Sequence, residues 1–212
     1  MKMSEERPPI TANLILPILI KPILQKLERY NPHSAHTLRS AIAKAETTSP
    51  GLMFELVLSI LRRADITVNV TESLLRLQGN SPEFEEYRIR RGEEPFQDLN
   101  KKSVALRKIL ARIPDEINDR KTFLETIKEI ASAIKKLLDC VNEISNYSLT
   151  SSDKQVLENR KRDFIKYSKR FSTTLKEYFR EGQSATVFMS AAHLIYQINL
   201  IQITVKNKCD IN

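Results

Sequence analysis

The chain has 212 residues, 41% of them hydrophobic, which is enough apolar material for one large packed unit or two small ones. Four glycines and no tryptophan favour helices over sheets, and two cysteines, Cys140 and Cys209, exclude a disulfide framework and point to a reducing cytosol. The net charge of +8 sits on the C-terminal half: residues 101–212 hold 21 Lys and Arg against 13 Asp and Glu, residues 1–79 hold 10 against 7, and residues 80–100 hold 3 against 6. Such a surface suits an acidic protein segment, a phosphoinositide headgroup or nucleic acid, and charge alone does not choose among them.

In chain order, the most apolar run is Leu14 to Leu24, cut by Pro17, Lys21 and Pro22. It is too short to span a bilayer and lacks a small-residue cleavage site, so residues 12–30 read as a buried, proline-bent helix. A second helix is expected from Ser34, as its cap, to about Glu46. After the break TTSPGL, a third helix is expected over Leu52–Ala64, nearly encircled by Phe54, Val57, Leu58, Ile60 and Leu61. A short fourth helix, TESLLRLQ, has Thr71 as its expected cap. These pieces carry more apolar surface than roughly 75 residues can bury alone, which implies pairing with a second copy or a similar partner.

Residues 79–95 mix Gly, Pro and charges of both signs, the composition of a linker between an N-terminal unit, residues 1–78, and a C-terminal one, residues 96–212. The C-terminal part reads as an antiparallel four-helix bundle. Its first helix is expected from about Gln97 to Arg112, and its second from Pro114, with Asp115 and Glu116 in the first turn, to about Ile144. The third is expected from about Ser152 to Glu181, stopped by Gly182, and the fourth from a Ser184 cap. The fold class is therefore all-α.

Enzymatic chemistry leaves little trace. Gly51, Gly79, Gly92 and Gly182 are scattered one per element boundary, so no phosphate-cradling loop forms. His33 and His36 lie at a helix entrance without a third ligand, and His193 lies on a mostly apolar helix. A capping or surface role suits them better than a metal, which needs three protein ligands in a catalytic site. No Ser or Cys has a nucleophile signature. The expectation is a protein without catalysis, cofactor or metal.

The stretch FLETIKEIASAIKKLLD, Phe123 to Asp139, raises a different possibility. At 100° per residue Phe123, Ile127, Ile130, Ile134, Leu138 and Val141 share one arc, but the middle turn is made of small residues, Ala131, Ser132 and Ala133. Lys128 and Lys135, seven residues and about 10 Å apart along the axis, flank that stripe. The next helix repeats the device: Phe164, Tyr167, Phe171, Leu175 and Tyr178 form a stripe flanked by Lys169 and Lys176, with Ser172 between them. Packed side by side, these helices make a groove floored by Ala131, Ser132 and Ser172 and rimmed by four lysines. It fits an amphipathic helix with leucines facing in and acidic edges. The same lysines also read as an ordinary solvated flank, since lysine is the default exposed helix residue.

The run Arg160, Lys161 and Arg162, extended by Lys166, Lys169 and Arg170, is interrupted by acidic residues and lacks any nucleic-acid-binding signature, so no nucleic-acid partner is expected. A phosphoinositide surface needs only clustered lysines on a helical face and stays open as the alternative function, a peripheral lipid-binding module.

The segments TLRSAIAKAE, SPGL, VTESLLRL, FQDLN, IPDEINDR, FLETIKEIASAIKKLLD and KYSKRFSTTLKEYF stand in the order and spacing of the programmed cell death protein 10 family, the third cerebral cavernous malformation protein. The resemblance runs from about Leu27 to Lys206 and suggests a distant orthologue. It implies a non-enzymatic adaptor with an N-terminal helical dimerisation domain. That domain pairs with itself or with the C-terminal tail of germinal centre kinases of subgroup III. The linked C-terminal four-helix bundle is similar to focal-adhesion-targeting domains. This bundle binds leucine-rich helical motifs, such as those of paxillin and the second cavernous malformation protein, and contacts striatin in the striatin-interacting phosphatase and kinase complex. Matched residue by residue, the resemblance assigns dimer and kinase contacts to Leu38, Ala41, Ile60 and Leu61. It assigns the helical-motif groove to Lys128, Ala131, Ile134, Lys135, Lys169, Ser172 and Lys176. Gln183 stands where the family has another lysine. A cytoplasmic location with Golgi and plasma-membrane pools, and roles in cell survival, angiogenesis and junction integrity, are also implied.

Overall fold

The computed structural model describes residues 10–80, 87–147 and 150–209, which are mostly helical with no strand among them. The apolar N-terminal run forms α1 (Ala12–Ile15), a π-helical turn (Leu16–Ile20) and α2 (Lys21–Tyr30). Pro17 and Pro22 each remove an N–H from this path, and the widened turn absorbs the loss without ending the helix. Then come α3 (Pro32–Thr48), α4 (Leu52–Arg63) and α5 (Val70–Asn80). The cap of α3 is Asn31, whose Oδ1 accepts the Ser34 N–H at 3.0 Å, rather than Ser34 itself. Likewise Asn69 Oδ1 accepts the Glu72 N–H at 3.1 Å, so Asn69 and not Thr71 caps α5. In both places an Asn lies three residues before the amide it satisfies, which is the spacing a cap needs.

The four long helices are α6 (Glu94–Glu116), α7 (Arg120–Ser145), α8 (Ser151–Glu181) and α9 (Ser184–Cys209). Pro114 does not open α7: it is buried inside the last turn of α6, and Asp119 caps α7 by accepting the Lys121 and Thr122 N–H groups at 3.0 and 3.2 Å. A proline near a helix C-terminus costs one hydrogen bond, whereas a better cap lay five residues on. Gly182, at φ 75°, ends α8 as its left-handed stop.

α6 packs mainly on α7 and α8 mainly on α9. α9 is apolar around most of its circumference and is correspondingly enclosed by α5, α6 and α8, as a helix of that pattern must be. α9 is long and apolar enough by composition to cross a membrane, but 61% of that stretch is buried inside the protein. Phe96, Phe123 and Phe164 are fully buried in the bundle, each stabilising it by about 1.5–3 kcal/mol.

Two features bear on where the N-terminal and C-terminal units meet. α5 packs against α6 and α9 rather than with α2–α4, and Leu74 and Leu75 belong to the same buried cluster as the bundle. Gly79 of α5 approaches so closely that a Cβ there would meet Ala111 Cβ at 3.1 Å. The N-terminal run joins that cluster too, through Leu14, Ile15 and Ile18. Of the expected linker, residues 81–86 lie outside the described residues, and the part that follows is strapped down. Ile89 is fully buried, Asn100 accepts its N–H at 3.1 Å, and Asn100 Nδ2 donates to its carbonyl at 2.8 Å. Behind it the buried Arg107 donates to Asn199 Oδ1 at 2.9 Å and to Gln202 Oε1 at 2.5 Å. α2, α3 and α4 are left with apolar side chains in solvent, as described below.

Candidate functional site: the groove between α7 and α8

Contacts at both ends fix the antiparallel register of α7 and α8. At one end the Phe123 ring meets Tyr178 and Phe179 edge-on or tilted, at 5.7 and 5.9 Å, and the Arg120 guanidinium lies 5.8 Å from the Phe179 ring. At the other, Lys161 Nζ donates to Asn142 Oδ1 at 3.1 Å. The register so pinned sets Ser172 opposite Ala131, Lys169 opposite Lys135 and Lys176 opposite Lys128.

Between the helices runs a groove of about 440 Å³, lined by Ala131, Ile134 and Lys135 together with Leu138, Asp139, Asn142, Lys161 and Ile165. Three of the seven sequence-predicted groove residues thus line it directly. Lys128, Lys169, Ser172 and Lys176 are exposed on the same two helices and continue its rims toward the Phe179 end, where Leu124 and Phe179 are 42% and 40% exposed. Phe123, Ile130 and Val141 are fully buried as the stripe requires, but Ile127, Ile134 and Leu138 are only half-buried. Thr126, Leu137, Cys140 and Ile144 complete the core face in their place. The stripe read from the sequence is therefore part core and part groove floor.

Ser132 is not on that floor. It lies in a second groove of about 270 Å³ on the other flank of α7, lined with Ala105, Ile109, Ala133 and Lys136. One residue is 100° of rotation, enough to carry Ser132 from the α8 side to the α6 side. Lys102, at the edge of this second groove, donates to Cys140 Sγ and to Asp98 Oδ2, both at 2.9 Å. Burial pushes the Cys140 thiol up, so it remains a neutral acceptor.

The electrostatics of the first groove are uneven. Lys128, Lys135, Lys169 and Lys176 form no ion pair among the described residues. Other cations of the bundle do: Lys102 with Asp98, Arg112 with Glu116 and Glu129, Lys161 with Glu158, and Lys208 with Asp153. The RKR run is partly neutralised in this way, with Arg162 also 3.7 Å from Glu158. His193 is stacked on Tyr167, rings 5.0 Å apart, and burial with help from Arg170 holds it below the usual imidazole range. Among the described residues no three His, Cys, Asp or Glu side chains gather as a metal would require.

The N-terminal helices carry a second uncovered surface. Leu38 on α3 and Ile60 on α4 are 45% and 56% exposed, Ala41 is exposed and Leu61 half-buried. Leu52, Leu56, Ile66 and Val68 add further exposed apolar side chains nearby in sequence.

An uncovered apolar face on one set of helices and a lysine-rimmed groove on another define the class, an all-helical protein with two exposed candidate binding surfaces. The chain belongs to the programmed cell death protein 10 family. A family model described as "Programmed cell death protein 10, dimerisation domain" matches residues 8–67, and one described as "Programmed cell death protein 10, C-terminal" matches residues 68–158. A Caenorhabditis elegans protein, "Programmed cell death protein 10 homolog", is 36% identical over 200 residues, spanning 90% of this chain and 91% of that protein, and the chain is a distant orthologue within the family. The two family matches meet just before α5, the helix that packs with the bundle.

Proposed function

We propose that this protein brings two partners together, one on each surface. The α3–α4 face, including Leu38, Ala41, Ile60 and Leu61, pairs with a second copy or with the C-terminal tail of a germinal centre kinase of subgroup III. The α7/α8 groove takes a leucine-rich helix with acidic edges, of the kind found in paxillin or the second cavernous malformation protein, and the bundle also contacts striatin. The protein then works in the cytoplasm, with pools at the Golgi and plasma membrane, as a bridge and not a catalyst.

The observation that carries the groove reading is the set of four lysines without carboxylate partners among the described residues, beside a half-buried apolar floor. Unpaired cations on both rims repel one another, and an acidic guest relieves that repulsion while its leucines cover Ile127, Ile134 and Leu138. The same lysines suit a phosphoinositide headgroup, but a headgroup leaves the apolar floor uncovered. A titration with a leucine-rich acidic peptide and with phosphoinositide vesicles, each over a range of salt, separates the two. Peptide binding that persists in part at high salt supports the adaptor. Vesicle binding alone, lost steadily with salt, favours the lipid module.

A further inference from the structure

The groove between α6 and α7 leads to a pair of reactive side chains that neither binding surface uses. Lys102 on α6 and Cys140 on α7, thirty-eight residues apart, bring Nζ to 2.9 Å from Sγ, and Asp98 Oδ2 lies 2.9 Å from the same nitrogen. Cys140 is fully buried, whereas the Lys102 side chain is 32% exposed at the edge of the groove. Lys136, which also lines that groove, stands one turn before Cys140 on α7. A molecule as small as hydrogen peroxide therefore reaches the sulfur past a flexible side chain, and a bulky thiol does not.

We infer that Lys102 and Cys140 form a redox modification site, at which peroxide joins Nζ to Sγ and staples α6 to α7. The thiolate attacks one peroxide oxygen: the S–O bond forms, the O–O bond breaks and the departing hydroxide takes a proton to become water. Sulfur is oxidised to sulfenic acid and peroxide is reduced. Burial keeps the thiol mostly neutral against the opposing pull of Lys102, so the thiolate is the minor form and this step is slow. Cys140 is the stronger of the two partners that raise Lys102, with Asp98 second. As neutral sulfenic acid it withdraws that support, and Asp98 takes the ammonium proton. The freed amine then attacks sulfur, as a backbone nitrogen does in known sulfenamides: the N–S bond forms, the S–O bond breaks and the hydroxide leaves as water. One thiol, one ammonium and one peroxide give one sulfenamide, two waters and one proton.

The test uses the full-length chain carrying Cys209→Ser, which leaves Cys140 as its one thiol, treated with hydrogen peroxide and then with catalase. Mass spectrometry is expected to show, methionine oxidation aside, a protein lighter by two hydrogens. Digestion should yield one fragment joining the peptides of Lys102 and Cys140, and dithiothreitol should separate them. Lys102→Arg in the same background keeps the positive charge but offers no free amine. There the joined fragment should be lost, and Cys140 should instead be labelled by dimedone as a persistent sulfenic acid. A joined fragment that survives Lys102→Arg, or a link to Lys136, would overturn the proposal. So would a Cys140 that remains unoxidised, or labelled by dimedone, while Lys102 is present. A linked fragment heavier by one oxygen would keep the site and overturn the direct N–S bond.

Discussion

Asn100 holds Ile89 by both of its backbone polar atoms, accepting the N–H and donating to the carbonyl, eleven residues before it in a segment that reads as linker. Replacing Asn100 by Ala strands two buried backbone groups, so Asn100→Ala is expected to destabilise the protein by about 2 kcal/mol. Thermal melting should shift down by about 5 °C for a chain of this size. Limited proteolysis around residues 79–95 should also accelerate. A variant that melts and digests like the parent would show that the strap is absent in solution.

The packing of α5 sets the boundary of the stable C-terminal unit. A fragment starting at residue 68 keeps Leu74 and Leu75 against α6 and α9, whereas one starting at Pro95 uncovers that surface. The longer fragment should melt cooperatively. The shorter should melt at lower temperature or aggregate, each lost buried leucine costing about 2–5 kcal/mol. Equal stability of the two would mean that α5 is an appendage.

What the sequence reveals about this protein is uneven, for physical reasons. The stripe Phe164, Tyr167, Phe171, Leu175 and Tyr178 and the stop at Gly182 are local signals, and α8 lies almost where they put it. Pro114 misleads because proline suits both the first turn of a helix and, at a modest cost, the last one, and only the competing Asp119 cap decides. The membership of α5 is invisible locally, since it depends on contacts such as Arg76 with the Pro114 carbonyl, thirty-eight residues away. The groove itself is half legible. Periodicity locates the small residues of α7, but which flank Ala131 and Ser132 face depends on where α6 and α8 pack. That four lysines have no carboxylate partner among the described residues is a three-dimensional fact.

The exposed face of α3 and α4 predicts association. Changing Leu38, Ala41 and Ile60 to Asp leaves the protomer folded, since all three are exposed in it, and places unpaired carboxylates in the pairing surface at a cost of several kcal/mol. Sedimentation should show a dimer for the parent and a monomer for the triple variant. A dimeric variant with unchanged helicity would move the pairing surface elsewhere.

His193 gives the fold a pH dependence of known sign. Burial lowers its folded pKa below the unfolded value of about 6.5, so its contribution is present above that pH and is lost as pH falls through the folded value. The melting temperature should therefore decline from pH 7 toward pH 5, and His193→Gln should flatten that decline. The same slope in the variant would assign the effect to other groups.

The central claim is that the unpaired lysines of α7 and α8 hold an acidic helix. The most direct measurement is titration of a labelled leucine-rich acidic peptide against the parent and against the variant with Lys128, Lys135, Lys169 and Lys176 all changed to Glu, with melts alongside. These four side chains are exposed, so each change should alter stability by only about 0.5 kcal/mol and the bundle should stay folded. Reversing the rims turns attraction into repulsion worth several kcal/mol, and binding should fall at least a hundredfold. Unchanged affinity in the folded variant would contradict the account and leave the four lysines as a solvated flank.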